Sequence, residues 1–314
     1  MSYKHKSKPG FTLVELLVSL VIISILAAMT LSGLSAVRRR SREEATRTTI
    51  RKIHEIIVPQ YESYLDKRLS SAEITSEAVP TITQRSDCYN GTASSPLGRR
   101  ILELRKLAAI RRVLAVEMPD NWNDVGSVSG PYQNARTRAY TSYALSTNND
   151  VSPEIESAEC LYMICMLSGF QPEAMENFRA EEIGSVDNDQ RPEFLDAWGR
   201  PIAFIRWPTA FDGPITLNQD TDPFDPESID LSSTSTSSPR FLTGVVPLIY
   251  SSGLDQESGL QTATTTSTTT SAQSTLSLVN FDSLTAVGTL HFGSPLIGST
   301  SWQDNISNHD LITR

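Results

Sequence analysis

Hydrophobic positions along this chain follow two different rules on either side of a basic cluster. From Phe11 to Val37 nearly every residue is apolar or small, and Glu15 is the only charge before Arg38. A helix rises about 1.5 Å per residue, so Phe11 to Leu31 is long enough to cross the roughly 30 Å of bilayer hydrocarbon. After the collar Arg38-Arg39-Arg40-Ser41-Arg42 the pattern turns amphipathic: Ile50, Ile53, Ile57, Tyr61 and Tyr64 recur at threes and fours. The spacing predicts one helix from Phe11 to about Lys67. Residues 11–37 would span a membrane and residues 38–68 would pack on a globular head, with Pro59 kinking the helix or ending its regular part.

The next part, residues 69–190, reads as helical. A polar, turn-rich stretch (70–96) leads into a helix from Leu97 to about Met118, with Leu97, Ile101, Leu104, Leu107, Ile110 and Leu114 on one stripe. Arg99, Arg100, Arg105, Arg111 and Arg112 on it are expected to form a solvated face. Asp120 to Gln133 reads as loop, and Tyr140–Ser146 and Pro153–Gly169 as shorter helices. From residue 191 to 314 the character is β: Ile202–Trp207 and Gly244–Tyr250 read as strands, Leu290–Phe292 as a weaker one. Pro247 should demote its strand to an edge or a bulge. The Ser/Thr-rich stretches 232–238 and 262–277 cannot bury a core and are expected to be mobile loops open to glycosylation. The fold class is therefore α+β: a long amino-terminal helix, a helical middle and a small antiparallel sheet.

Composition narrows the function. The chain has 314 residues with 27 Lys plus Arg against 36 Asp plus Glu. Losing the three lysines of residues 1–10 would take the formal charge from −9 to −12. So acidic a chain is not expected to have nucleic acid as its main partner. Three cysteines, Cys88, Cys160 and Cys165, make no disulfide framework. Cys160 and Cys165 sit in an apolar run and read as buried thiols. The four histidines, His5, His54, His291 and His309, form no His-Glu-x-x-His pair, and phosphate-loop, nucleophile-elbow and Cys-x-x-Cys patterns are absent. No enzyme is expected.

Glu15 is the anomaly. A carboxylate inside an apolar span costs about 2.5–3.5 kcal/mol on insertion scales, so it should have a compensating partner. Lys4, Lys6 and Lys8 precede it in a short leader ending in Pro9-Gly10. An ordinary secretory signal also has a basic start and an apolar core, but needs no Glu15, and its nearest cleavage candidate is Leu34-Ser35-Ala36. A plain anchor needs neither Gly10 nor Glu15. The run Gly10-Phe11-Thr12-Leu13-Val14-Glu15-Leu16 on a basic leader resembles the cleavage and methylation motif of type IV prepilins and type II secretion pseudopilins.

That resemblance implies cleavage between Gly10 and Phe11 by a prepilin peptidase, N-methylation of Phe11, and pairing of Glu15 with a neighbouring subunit's terminal amine. It implies a pilin-like layout, anchored once in a bacterial inner membrane, with the amino terminus cytoplasmic and the head periplasmic. Its partners would be other pilin-like subunits and the inner-membrane assembly machinery. The expected function is a structural subunit of a type II secretion or type IV pilus-type assembly. The alternative is a membrane-anchored surface or binding protein that uses the same signal and never polymerises.

A second resemblance lies near the carboxyl end. Asp196-Ala-Trp198-Gly199-Arg-Pro201 is similar to the Asp-x-Trp-Gly-x-Pro segment of major pseudopilins. Ser252-Gly253-Leu254-Asp255 and Asp304-Asn305-Ile306-Ser307-Asn308 would match the later pieces, though the Thr/Ser-rich run separates them widely. Asp255 and Asp304, with backbone carbonyls near Ser252, would suit one calcium ion, which takes 6–8 oxygen ligands. The loop Asp220-Thr-Asp222-Pro-Phe-Asp225 is a competing site. Equally, Trp198-Gly199 reads as a turn with a packed indole, and Asp255 and Asp304 as solvated loop acids.

Overall fold

The change of hydrophobic rule at the arginine collar is also a change of environment along one helix. The computed structural model describes residues 12–77, 96–126, 128–144, 153–187, 189, 191–208, 211, 224, 246–260, 296 and 299–311. In it, helix α1 runs Leu13–Glu62, and the chain divides into two units, residues 1–44 and 45–314. In the first unit the described apolar side chains of α1 are exposed, Leu13 by 82% and Ile23 by 62%. In the second, Ile50, Ile53, Ile56 and Ile57 are fully enclosed. Pro59 lies inside α1, which ends three residues later at Glu62, and its carbonyl accepts from Ser63 N at 3.1 Å.

The head unit is built around that second stretch. Helices α2 (Ser71–Ser76), α3 (Pro96–Glu117), α4 (Trp122–Gly126), α5 (Ala135–Ala144) and α6 (Pro153–Leu167) follow. One core joins Ile53 and Ile57 of α1 to Leu107 and Leu114 of α3, Leu161 and Ile164 of α6, and Phe204, Ile249 and Ile306 of the sheet. Two elements depart from the sequence reading. The stretch 120–133 contains α4 and a turn of 3-10 helix at Gly130–Tyr132. Helix α5 starts five residues before Tyr140, because Asn134 and Thr137 cap it reciprocally: Thr137 N donates to Asn134 Oδ1 and Asn134 N to Thr137 Oγ1, each at 2.9 Å. Nor is the arginine run of α3 uniformly solvated. Arg99 is exposed, but Arg111 is buried, because the last turns of α3 are enclosed on every side.

The expected sheet is present. Strands β3 (Ala203–Ile205), β4 (Leu248–Ser251) and β5 (Ile306–Ser307) pair antiparallel in the order β3-β4-β5. Alternation places Phe204, Ile249 and Ile306 on the main core, and Ala203, Ile205, Leu248 and Tyr250 on a smaller cluster with Leu260. Pro247 does not make β4 an edge. It stands just before the strand, where its missing N–H takes nothing from the ladder, and β4 is central. A short hairpin of β1 (Ile183–Gly184) and β2 (Glu193–Phe194) was not anticipated. Cys160 and Cys165 are buried free thiols, as expected. Cys88, Leu290–Phe292, the Asp220–Asp225 loop apart from Phe224, and both Ser/Thr-rich stretches lie outside the described residues.

Polar groups fasten α1 and the turn that follows it into the head. Glu117, at the end of α3, accepts from Tyr64 Oη (2.8 Å), Lys67 Nζ (2.7 Å), Arg136 NH1 (2.9 Å) and Asn134 Nδ2 (2.9 Å). Asn308 accepts from Ile249 N at 2.9 Å, donates to the Pro247 carbonyl at 3.0 Å and lies 3.1 Å from His54 Nδ1 of α1.

Candidate functional site

Two groups of residues were singled out by sequence, and their geometries differ. Gly10 and Phe11 lie outside the described residues. Glu15 stands in the first turn of α1, exposed, with its carboxylate folded back on the helix start. Its Oε2 accepts from Thr12 N and Thr12 Oγ1, both at 2.9 Å, while Thr12 Oγ1 accepts from Glu15 N at 3.3 Å. This is a capping box: Thr12 and Glu15 satisfy each other's orphan N–H groups at a helix end that begins in an apolar run. The Thr-x-x-Glu spacing was visible in the sequence, where Glu15 was weighed only as a charge. Past it, Ser19 and Ser24 turn their hydroxyls onto the carbonyls of Glu15 and Leu20, each at 2.7 Å, so these polar side chains are satisfied without water. Residues around them are apolar on all faces, and α1 is the one described helix long and apolar enough to cross a membrane.

The carboxyl-terminal residues are brought together at one corner of the sheet. Asp196 closes the Trp198-Gly199 turn by accepting from Trp198 N (2.8 Å) and Arg200 N (2.9 Å), with Gly199 at φ +80° supplying the left-handed position. Its second oxygen accepts from Ser251 Oγ at 2.6 Å, next to the buried Ser252. Burial pushes the Asp196 carboxyl up, against these hydrogen bonds. Gly253 has φ +68°, and a Cβ there would lie 2.3 Å from the Asp304 carbonyl, so only glycine allows this approach.

Asp304 Oδ2 accepts from Leu254 N (2.8 Å) and Asp255 N (3.1 Å), and Asp255 Oδ1 accepts from Glu257 N (2.9 Å). Thus Asp255, Asp304 and Ser252 belong to one corner, although their carboxylates already cap its turns. Both described histidines are held neutral by burial: His54 is pushed down, and His309 falls to about 4. His5 and His291 lie outside the described residues.

Residues 5–31 match the family model of the prokaryotic N-terminal methylation motif. The chain is type IV prepilin-like. The match ends where the exposed apolar part of α1 approaches the collar, and it implies processing by a prepilin peptidase and pilin-like assembly. It is consistent with anchoring of the prepilin-like chain in an inner membrane through α1. No curated protein and no solved structure matches the chain. The α+β architecture of long first helix, further helices and small antiparallel sheets is pilin-like.

Proposed function

We propose that this chain is a non-enzymatic structural subunit, pilin-like or pseudopilin-like, of a type II secretion or type IV pilus-type envelope assembly. The observation that carries this reading is Gly10-Phe11 followed by Glu15 at the start of a helix whose described apolar side chains before the collar are exposed. Cleavage after Gly10 would leave Phe11 as an N-methylated terminus one residue ahead of the capping box. In the free subunit Glu15 is satisfied by Thr12. In an assembly, a neighbour's terminal amine is a stronger partner, because a charge-assisted pair in a low-dielectric setting outweighs a neutral hydrogen bond. The apolar faces of α1 would then pack on those of other subunits, and the amino terminus would remain on the cytoplasmic side.

Intact-mass measurement of the purified protein should show loss of residues 1–10 and one added methyl group. Gly10→Val should abolish that cut. A mature start near Ser35 or an uncut chain would overturn the reading. Glu15→Val should leave membrane insertion intact and reduce crosslinking between first helices; equal crosslinking in mutant and parent would favour the lone anchor.

The corner holding Ser252, Asp255 and Asp304 is proposed to take one calcium ion. Support comes from two carboxylates of distant segments meeting at one corner, where Asp304 Oδ2 accepts from Asp255 N, since carboxylate oxygen suits a hard cation. Calcium should raise the melting temperature of the detergent-solubilised chain over chelator, and less so in Asp255→Asn/Asp304→Asn. No difference between parent and variant would leave these acids as turn caps.

A further inference from the structure

The hairpin β1–β2 carries acids that neither reading above uses. Its loop presents Asp187 and Asp189, α6 contributes Glu159, and ligand oxygens from the three lie within 4.8 Å of one another. Each carboxylate has one oxygen held by internal donors. Asp187 Oδ1 accepts from Asp189 N (3.2 Å) and Ser185 Oγ (3.4 Å), and Asp189 Oδ1 from Arg191 N (2.8 Å). Glu159 Oε2 accepts from Trp122 Nε1 (2.9 Å) and Arg191 NH1 (3.1 Å).

The remaining oxygens are the unusual part. Glu159 is fully enclosed, and its Oε1 is buried with no hydrogen-bond donor among the described residues. Asp189 Oδ2 is likewise buried without a hydrogen bond and meets Arg191 Nε only at 3.9 Å. A buried carboxylate oxygen left without a donor forfeits its hydration with nothing in return, so something should occupy this position. Arg191 meets two of the three carboxylates, Glu159 at 3.1 Å and Asp189 at 3.9 Å. Nearby Glu193 is fully buried too, its Oε1 has no donor among the described residues, and Asp187 and Asp189 reinforce the upward push that burial gives its carboxyl.

We propose that Glu159, Asp187 and Asp189 form a binding site for one hard divalent cation of the calcium class, at the junction of α6 and the β1–β2 loop. The donor set is all carboxylate oxygen, with no imidazole or thiolate among the three, which favours calcium over zinc or copper. Arg191 holds Glu159 by Oε2, sends NH2 to the Ala144 carbonyl at 3.1 Å and stacks on Trp122 at 4.2 Å, so its nearest approach to Asp189 Oδ2 is the longer contact at 3.9 Å. The rival occupant is a proton, since burial lifts the Glu159 carboxyl to about 8. A bound cation would fasten the hairpin to α6 and, through Glu193 and Phe194, to the core. The inference is independent of whether the chain polymerises and of the Asp255–Asp304 corner, whose residues it does not share.

Trp122 provides a local reporter, because its indole bonds directly to Glu159. The experiment uses the full chain in detergent micelles, in an Asp255→Asn/Asp304→Asn background that silences the other corner. Terbium is the probe, excited through tryptophan, with calcium as competitor. Saturable emission displaced by calcium is expected. Trp122→Phe should remove most of the emission while calcorimetric calcium binding persists. Asp187→Asn, a change at an exposed side chain that should leave the fold intact, should weaken calcium binding about tenfold or more. Emission that does not saturate, or calcium binding equal in Asp187→Asn and its parent background, would overturn the proposal and leave Glu159 as a buried protonated acid.

Discussion

The two stretches of α1 obey opposite rules with the same residue types. Before the collar, Leu16, Ile22 and Ile23 are more than half exposed; after it, Ile50, Ile53 and Ile57 are at 0%. The difference lies in what surrounds each set in the pattern. Residues 13–37 are apolar on every face, so no single face could be turned to a head while the rest met water. Residues 45–64 interleave isoleucines and tyrosines with Arg47, Arg51, Lys52 and Glu55, giving one stripe for a core. Polar groups are handled differently too. Glu15 is satisfied from three residues away, whereas Thr49 donates to Glu182 across 133 positions at 2.7 Å. The first stretch is self-contained and suits lipid or copies of itself; the second depends on the rest of the chain.

The largest expected effect comes from making one truncation in each stretch. Ile53→Ala should lower head stability by about 2–5 kcal/mol, because a fully enclosed side chain leaves a cavity in the core. Ile23→Ala, at 62% exposure, should leave the melting temperature of the head unchanged and should instead weaken contacts between first helices. Thermal unfolding of the micelle-bound chain by circular dichroism checks the pair. Equal losses would mean that the two stretches are not energetically distinct.

Much of this comparison was legible in the sequence, because it rests on period and charge. The extent of α1, the span of α3 and α6, and strands β3 and β4 follow from apolar runs long enough to show a repeat. What was missed is short or depends on distant partners. Two-residue strands such as β1, β2 and β5 have no period to read, and β5 exists because Ile306 and Ser307 meet Ser251 and Tyr250. Nothing in the sequence distinguishes Glu182 from its neighbour Glu181, yet Glu182 is buried as a partner for α1. Pro247 was read correctly as unable to pair, but whether it fell inside or just outside β4 was beyond pattern. Nothing in the sequence links Glu159, in the middle of α6, to Asp187 and Asp189; only the fold brings them together.

Glu182 gives the next, smaller test. Burial pushes its carboxyl up, but Arg179 N, Lys52 Nζ and Thr49 Oγ1 donate to it and together hold it at about 2, below its ordinary 4.5. A lowered folded-state value means that the contribution is full above about 4.5 and disappears as pH falls through about 2. Glu182→Gln should therefore cost about 1–3 kcal/mol at pH 7, with the gap between mutant and parent closing toward pH 2. Comparing unfolding of the two chains across that range is the check. A gap that did not change with pH would show that Glu182 acts through shape alone.

The smallest effect should come from the ion pair on the other side of the division. Arg39 Nε meets Glu43 Oε1 at 2.8 Å, as short as the Lys52–Glu182 contact, yet the two side chains are 54% and 32% exposed. Distance alone would rank the pairs equal. Solvent screening and the entropy of holding two long side chains favour a much smaller value for the exposed one, about 0.3–0.5 kcal/mol at best. Its orientation reduces this further, since an acid preceding a base by four residues fits the helix dipole and this pair runs the other way. Glu43→Gln should shift stability by less than about 0.5 kcal/mol, and added salt should abolish what remains. A loss as large as that of Glu182→Gln would mean that the collar is held by something beyond this pair, and the division of α1 at residue 44 would have to move.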